Sequence, residues 1–140
     1  MANVVPFSFK GELLSGTHNF ANGGDTFKIA LYTSDASLGA STTAYTTSNE
    51  VSGSGYTAKG NALTSVTPVA DSTTAVCDFA DTSFTSASFT ARGCLIFNED
   101  ATGDPAVCAI DFGGDKTVSS GTFTIQFPAA AASTAIIRIA

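Results

Sequence analysis

The sequence predicts an all-β fold: an antiparallel β-sandwich or barrel of short strands with one short N-terminal helix. Three observations carry that prediction. Short apolar runs recur from Asn61 onward, each closed by Gly, Ser, Thr, Asn or Asp, the pattern of strands joined by turns. Phe123, Ile125 and Phe127 alternate with Thr124 and Gln126, the period of a half-buried strand. Ser and Thr together supply about a quarter of the chain, while charged residues make up 13%.

The helix candidate comes first. In Pro6 to Gly16, Phe9, Leu13 and Gly16 share one face at helical spacing, and Gly16 suits a C-terminal stop. Gly11 weakens the segment, so two or three turns are expected. A polar loop containing His18 leads to a Gly23-Gly24-Asp25 turn and a strand from Thr26 to Thr33, with Phe27, Ile29 and Leu31 inward. Ser34 to Asn49 is aperiodic and rich in Ser, Thr and Ala, so it is expected to be an exposed excursion. Six strands follow: Ala62 to Pro68, Ala75 to Phe79, Ser88 to Phe97, Ala106 to Phe112, Gly121 to Phe127 and Ala135 to Ile139. The expected core is Phe9, Leu13, Phe27, Ile29, Leu31, Phe89, Leu95, Phe97, Ile110, Phe112, Phe123, Ile125, Phe127, Ile137 and Ile139.

The chain has 140 residues, which fits one domain over 1–140 with a core that needs no metal or disulfide. Its formal net charge is −6, and six basic residues are scattered singly. That balance argues against nucleic acid and against anionic membrane surfaces as partners. Met1 to Lys10 lacks the layout of a signal peptide, and the most apolar stretch, Pro128 to Ala140, is broken by Ser133, Thr134 and Arg138. Cys77, Cys94 and Cys108 lie inside apolar runs. They read as reduced, buried thiols of a protein made in a reducing cytoplasm.

Chemistry-bearing motifs are scarce. His18 is the only imidazole and lies outside any nucleophile context, so a solvated loop histidine is expected. No Cys or His spacing suits zinc. Asn98 to Gly103 has oxygens at alternate positions, but Ala109 stands where an EF-hand needs Glu. A hairpin loop is the expectation, with a weak calcium site as the alternative. Asp111-Phe112-Gly113 lacks every companion motif of a kinase, and Gly55 to Gly60 lacks the P-loop lysine. The pairs Asp78/Asp81 and Asp111/Asp115 lack the aromatic cleft that a glycosidase needs. The chain therefore reads as a non-enzyme without cofactor, catalytic residue or metal ligand.

Four stretches, taken together and in this order, carry a family resemblance. They are Phe7 to Leu14, Asn49 to Gly60, Phe89 to Phe97, and Ala109 to Pro128. They resemble small virion structural proteins of tailed bacteriophages. The resemblance implies a β-rich particle component, a head decoration (cement) protein that binds the major capsid protein on the outer head surface. It implies a virion assembled in the host cytoplasm, with self-association as a trimer (first choice) or a dimer (second). The alternative is a tail or fibre component, structural or receptor-binding, in which Tyr32, Tyr45 and Tyr56 form a sugar-stacking surface. Residues assigned to a capsid or subunit interface are Pro6, Phe7, Tyr45 and Tyr56.

Overall fold

The computed structural model describes all residues 1–140. The chain is mostly β, 47% strand and 6% helix, and its strands form two antiparallel sheets stacked as a sandwich. In chain order the elements are α1 (Phe7–Leu14), β1 (Phe27–Tyr32), β2 (Asn61–Ala62), β3 (Ser65–Asp71), β4 (Thr74–Phe79), β5 (Thr82–Asn98), β6 (Ala106–Ile125) and β7 (Ile137–Ile139). The first sheet runs β2-β1-β5-β6 and the second β3-β4-β7.

Not all the strands are short. The expected strands Ala106 to Phe112 and Gly121 to Phe127 are one 20-residue strand, β6, paired with the 17-residue β5. The Gly113-Gly114-Asp115 sequence does not end a strand. Gly93 pairs with Asp111 and Ala91 with Lys116, so residues 112–115 form a wide bulge opposite a single residue of β5. Asp111 pins this bulge: its Oδ1 accepts from Arg92 Nε and from the Gly113 amide, each at 2.9 Å. The guanidinium, followed by that amide, holds the Asp111 carboxyl below the usual carboxylate range. The expected Ala62 to Pro68 strand divides into β2 and β3, and β3 continues past Pro68. An edge strand tolerates proline there because the outward side needs no N–H donor.

Between the second sheet and residues 34–50, the first sheet is buried on both faces. One face brings Phe27, Ile29, Leu31, Phe89 and Ile96 against Cys77, Phe79 and Ile137 of the second sheet. The other face, with Ala30, Tyr32, Leu95, Phe97 and Ala109, lies beneath residues 34–50 through Ala36, Leu38 and Tyr45. The Ser34 to Asn49 segment is therefore a cover and not an exposed excursion. Composition hid this because only Leu38, Ala36 and Tyr45 do the apolar work. Gly60 closes the same region: it has φ +67°, and a Cβ there would run into the Ile29 carbonyl, so only glycine fits.

α1 ends as expected. Thr17 N–H donates to the Glu12 carbonyl at 3.0 Å and Gly16 N–H to that of Leu13 at 3.3 Å, with Gly16 at φ +75°. That is a Schellman cap. At the other end Phe7 N–H donates to the Ala40 carbonyl at 2.9 Å, which satisfies a donor that Pro6 cannot cap by side chain.

Most of the expected core is present, with one clear exception. Ile139 is 55% exposed, because it lies on the last strand of the second sheet, beyond the first sheet's cover. Leu13, Ile110, Phe112, Phe123, Ile125 and Phe127 are only partly buried. Phe20, Tyr32, Val51, Phe79, Phe84 and Val107 are among the buried residues beyond that expectation.

Candidate functional site

One buried and one half-buried polar centre hold the loops to the sandwich, and one helix presents an apolar stripe to solvent. The first centre is His18, whose side chain is fully buried. It is not the solvated loop residue that its polar neighbours suggest. The loop after α1 folds back so that the rings of Phe9, Phe20 and Phe27 lie 5.0, 5.9 and 6.2 Å from the imidazole. Asn98 Nδ2 stands 3.1 Å from Nδ1, and an amide nitrogen only donates, so Nδ1 accepts and the neutral ring carries its proton on Nε2. Nε2 lies 3.5 Å from Glu12 Oε2. Burial lowers the His18 pKa, opposed by the charges of Glu12 and Asp25. Asn98 holds Nδ1, while Nε2 makes no hydrogen bond within the fold and has Glu12 within ion-pair distance.

The second centre is Glu50. Its Oε1 accepts from Tyr56 Oη and from the Lys59 amide, both at 2.7 Å, and its Oε2 accepts from Tyr45 Oη at 2.6 Å. Tyr56 Oη in turn accepts from Leu31 N–H at 2.9 Å. Tyr45 stacks on Phe97 at 4.9 Å, and the Tyr56 ring sits 5.5 and 5.8 Å from Phe84 and Phe89. Burial, then the Glu50 carboxylate, raises both phenol pKa values. Tyr32 is fully buried, its hydroxyl donating to the Thr46 carbonyl at 2.7 Å. The three tyrosines are thus turned into the fold and do not form a stacking surface for sugars.

The carboxylates of the β5–β6 connection are likewise engaged. Asn98 Oδ1 accepts from the amides of Asp100 and Ala101, and Asp100 Oδ2 accepts from Thr26 N–H at 2.5 Å. Glu99 pairs with Lys28 at 3.2 Å and Asp104 with Lys59 at 2.8 Å. These contacts make the segment a fastened hairpin loop. No three His, Cys, Asp or Glu side chains converge as metal ligands. Cys77, Cys94 and Cys108 are free and buried; burial pushes Cys77 and Cys108 up to about 12 and Cys94 well above its ordinary value.

Of the four residues assigned to an interface, Phe7 alone faces solvent prominently, at 67% exposure, while Pro6 is buried. Tyr45 and Tyr56 meet at Glu50, far in character from Phe7. One residue escaped the sequence reading: Leu14, 91% exposed. It lies seven positions after Phe7 and so on the same helix face, with Lys10 between them and its ammonium 5.7 Å from the Phe7 ring. The i, i+7 spacing was there to find, but it was masked by the inward pair Phe9 and Leu13. Searches against protein-family models, curated proteins and solved structures find no match to this chain.

Proposed function

We propose that this protein is a virion structural protein of a tailed bacteriophage, a head decoration protein that binds the outer surface of the major capsid protein and strengthens the shell. The observation that carries the proposal is the outward face of α1. Phe7 and Leu14 are exposed on a helix that is fixed at both ends and anchored inward by Phe9. A preordered apolar stripe loses little entropy on docking. Repetition over a lattice turns a modest contact into firm attachment, and binding only the assembled shell stabilises it by mass action. The protein self-associates as a trimer, or as a dimer in the second instance, in keeping with closed symmetry.

The test is binding of purified protein to expanded shells, followed by reconstruction. Density at fixed, symmetry-related head positions supports the proposal. Replacing Phe7 and Leu14 by Ser should abolish attachment without lowering the melting temperature of the free protein. Density confined to the tail would transfer the protein to the tail or fibre class and sink the cement proposal.

A further inference from the structure

We infer that β7 is a strand acceptor, and that its free edge and the apolar groove beside it take an extended segment of a different protein, with alternating apolar residues and at least one carboxylate. The sandwich sets four strands over three. Where the smaller sheet stops, a groove of about 520 Å³ opens, floored by Ile110, Phe112, Phe123, Ile125 and Phe127 and bounded by Ile136, which leads into β7. Ile136 alone links this groove to β7, whose own three residues lie outside its lining.

The treatment of the other sheet edges supports this. Exposed strand edges are usually blunted against chance pairing. β2 is only two residues long. β3 carries Pro68 and a register shift between Val66 and Val69. β6 begins under the chain's own N-terminal segment, which pairs Val4 with Ala109 through two 2.9 Å backbone bonds. It then bulges at 112–115 and turns left-handed at Ser120, φ +48°. β7 pairs with β4 on one side; it is three residues long, but on the other side it has no proline, bulge or covering segment. A second copy offers only its own β7 as an open edge, and pairing β7 with β7 would set Arg138 against Arg138, a like-charge contact that disfavours it.

Charge indicates the chemistry of the donor. Lys28, Lys59 and Arg92 are each paired with a carboxylate, and Lys10 lies over Phe7. The two remaining cations flank this site: Lys116 lines the groove and Arg138 is the middle residue of β7. In a chain of net charge −6, Lys116 in the groove and Arg138 on β7, which donates to the Ala132 carbonyl but has no carboxylate partner, select an acidic, apolar strand. Backbone bonds to β7 would supply affinity, and the alternate side chains in the groove would supply specificity.

The inference does not depend on the virion proposal, and its test uses the free full-length protein. A displayed library of random peptides of about nine residues, a typical strand length, is panned on it. Enriched sequences should place apolar residues at every second position and include Asp or Glu. The best peptide, followed by fluorescence anisotropy, should bind about tenfold more weakly to the Lys116→Glu/Arg138→Glu protein, and weakly to Ile125→Lys. N-methylation of alternate peptide amides removes edge donors without touching the protein, and should abolish binding. Amide exchange should slow at Arg138, whose amide faces the free edge, and not at Ile139, whose amide faces β4, when the unmodified peptide is bound. Failure of any sequence to enrich, enrichment without alternation, or unchanged binding of the N-methylated peptide would overturn the inference and leave the shell-binding result unaffected.

Discussion

The β5–β6 hairpin is one continuous ribbon whose two halves are built differently. In its inner half, Cys94-Leu95-Ile96-Phe97 of β5 and Ala106-Val107-Cys108-Ala109 of β6 are buried residue after residue. In its outer half, β6 alternates, with Phe123 and Ile125 half-buried and Thr122 and Thr124 exposed. The difference is cover. Residues 34–50 lie on one face of the inner half and the second sheet on the other, while the outer half has an apolar floor on one face and solvent on the other. A strand's residue pattern thus records how many faces are covered as much as which way it points.

The largest test of this contrast is truncation of an aromatic ring in each half. Phe97→Ala should cost about 3–5 kcal/mol through lost burial and a residual cavity. Phe123→Ala, beside an open groove, should cost roughly half that or less, since part of its surface is already in water. Denaturant unfolding of the two variants measures both, and equal losses would show that the halves are equally enclosed. Next comes Gly60→Ala, which forces a left-handed non-glycine against the Ile29 carbonyl. It should cost about 1–3 kcal/mol, whereas Gly103→Ala, also left-handed but in open space, should cost less. Similar melting temperatures for the two would remove the steric argument.

Tyr56 joins the halves, its ring against Phe84 and Phe89 and its hydroxyl on Leu31 and Glu50. Tyr56→Phe leaves the packing and removes the bridge, and should cost about 1–3 kcal/mol because a buried amide and a carboxylate lose a partner. The smallest effect is a pH slope. The folded-state His18 pKa lies below its ordinary 6.5, so the unfolded chain takes up that proton first. The stability this neutral histidine supports is full above pH 6.5 and is lost as pH falls through the lowered folded pKa. His18→Gln should flatten the melting-temperature profile on the acid side of pH 6.5; an unchanged slope would assign it to other groups.

These regions also mark what the sequence made legible. The strands were recognisable wherever an apolar run met a turn residue, and α1 was recognisable from Phe9, Leu13 and the Gly16 stop. The continuity of β6 was not, because Gly113-Gly114-Asp115 looks the same whether it ends a strand or bulges from one. His18 sits among polar neighbours in sequence, yet its burial is set by Phe20, Phe27 and Asn98, which only the folded loop gathers around it. Glu50 was similarly opaque: a lone acid in a Ser- and Gly-rich stretch gives no sign that two tyrosines and an amide converge on it. Phe7 reads as an interface residue from its place in the N-terminal element. Its partner on the stripe, Leu14, depended on knowing which helix face was already occupied.

The fastening of the N-terminal segment has a consequence for the order of events during synthesis. Asn3 Oδ1 accepts from the Asp111 amide, 108 residues later in the chain, and His18 meets Asn98, 80 residues later. The segment leaves the ribosome long before either partner exists. An eight-residue helix such as α1 does not hold by itself in water; Phe9 packs on His18 and Phe20, and the helix touches β6. The nascent chain therefore stays open until residues near 111 have emerged, then closes with its earliest part docking late. A ribosome that stalls before that point releases a chain with no folded fragment to protect it from proteolysis.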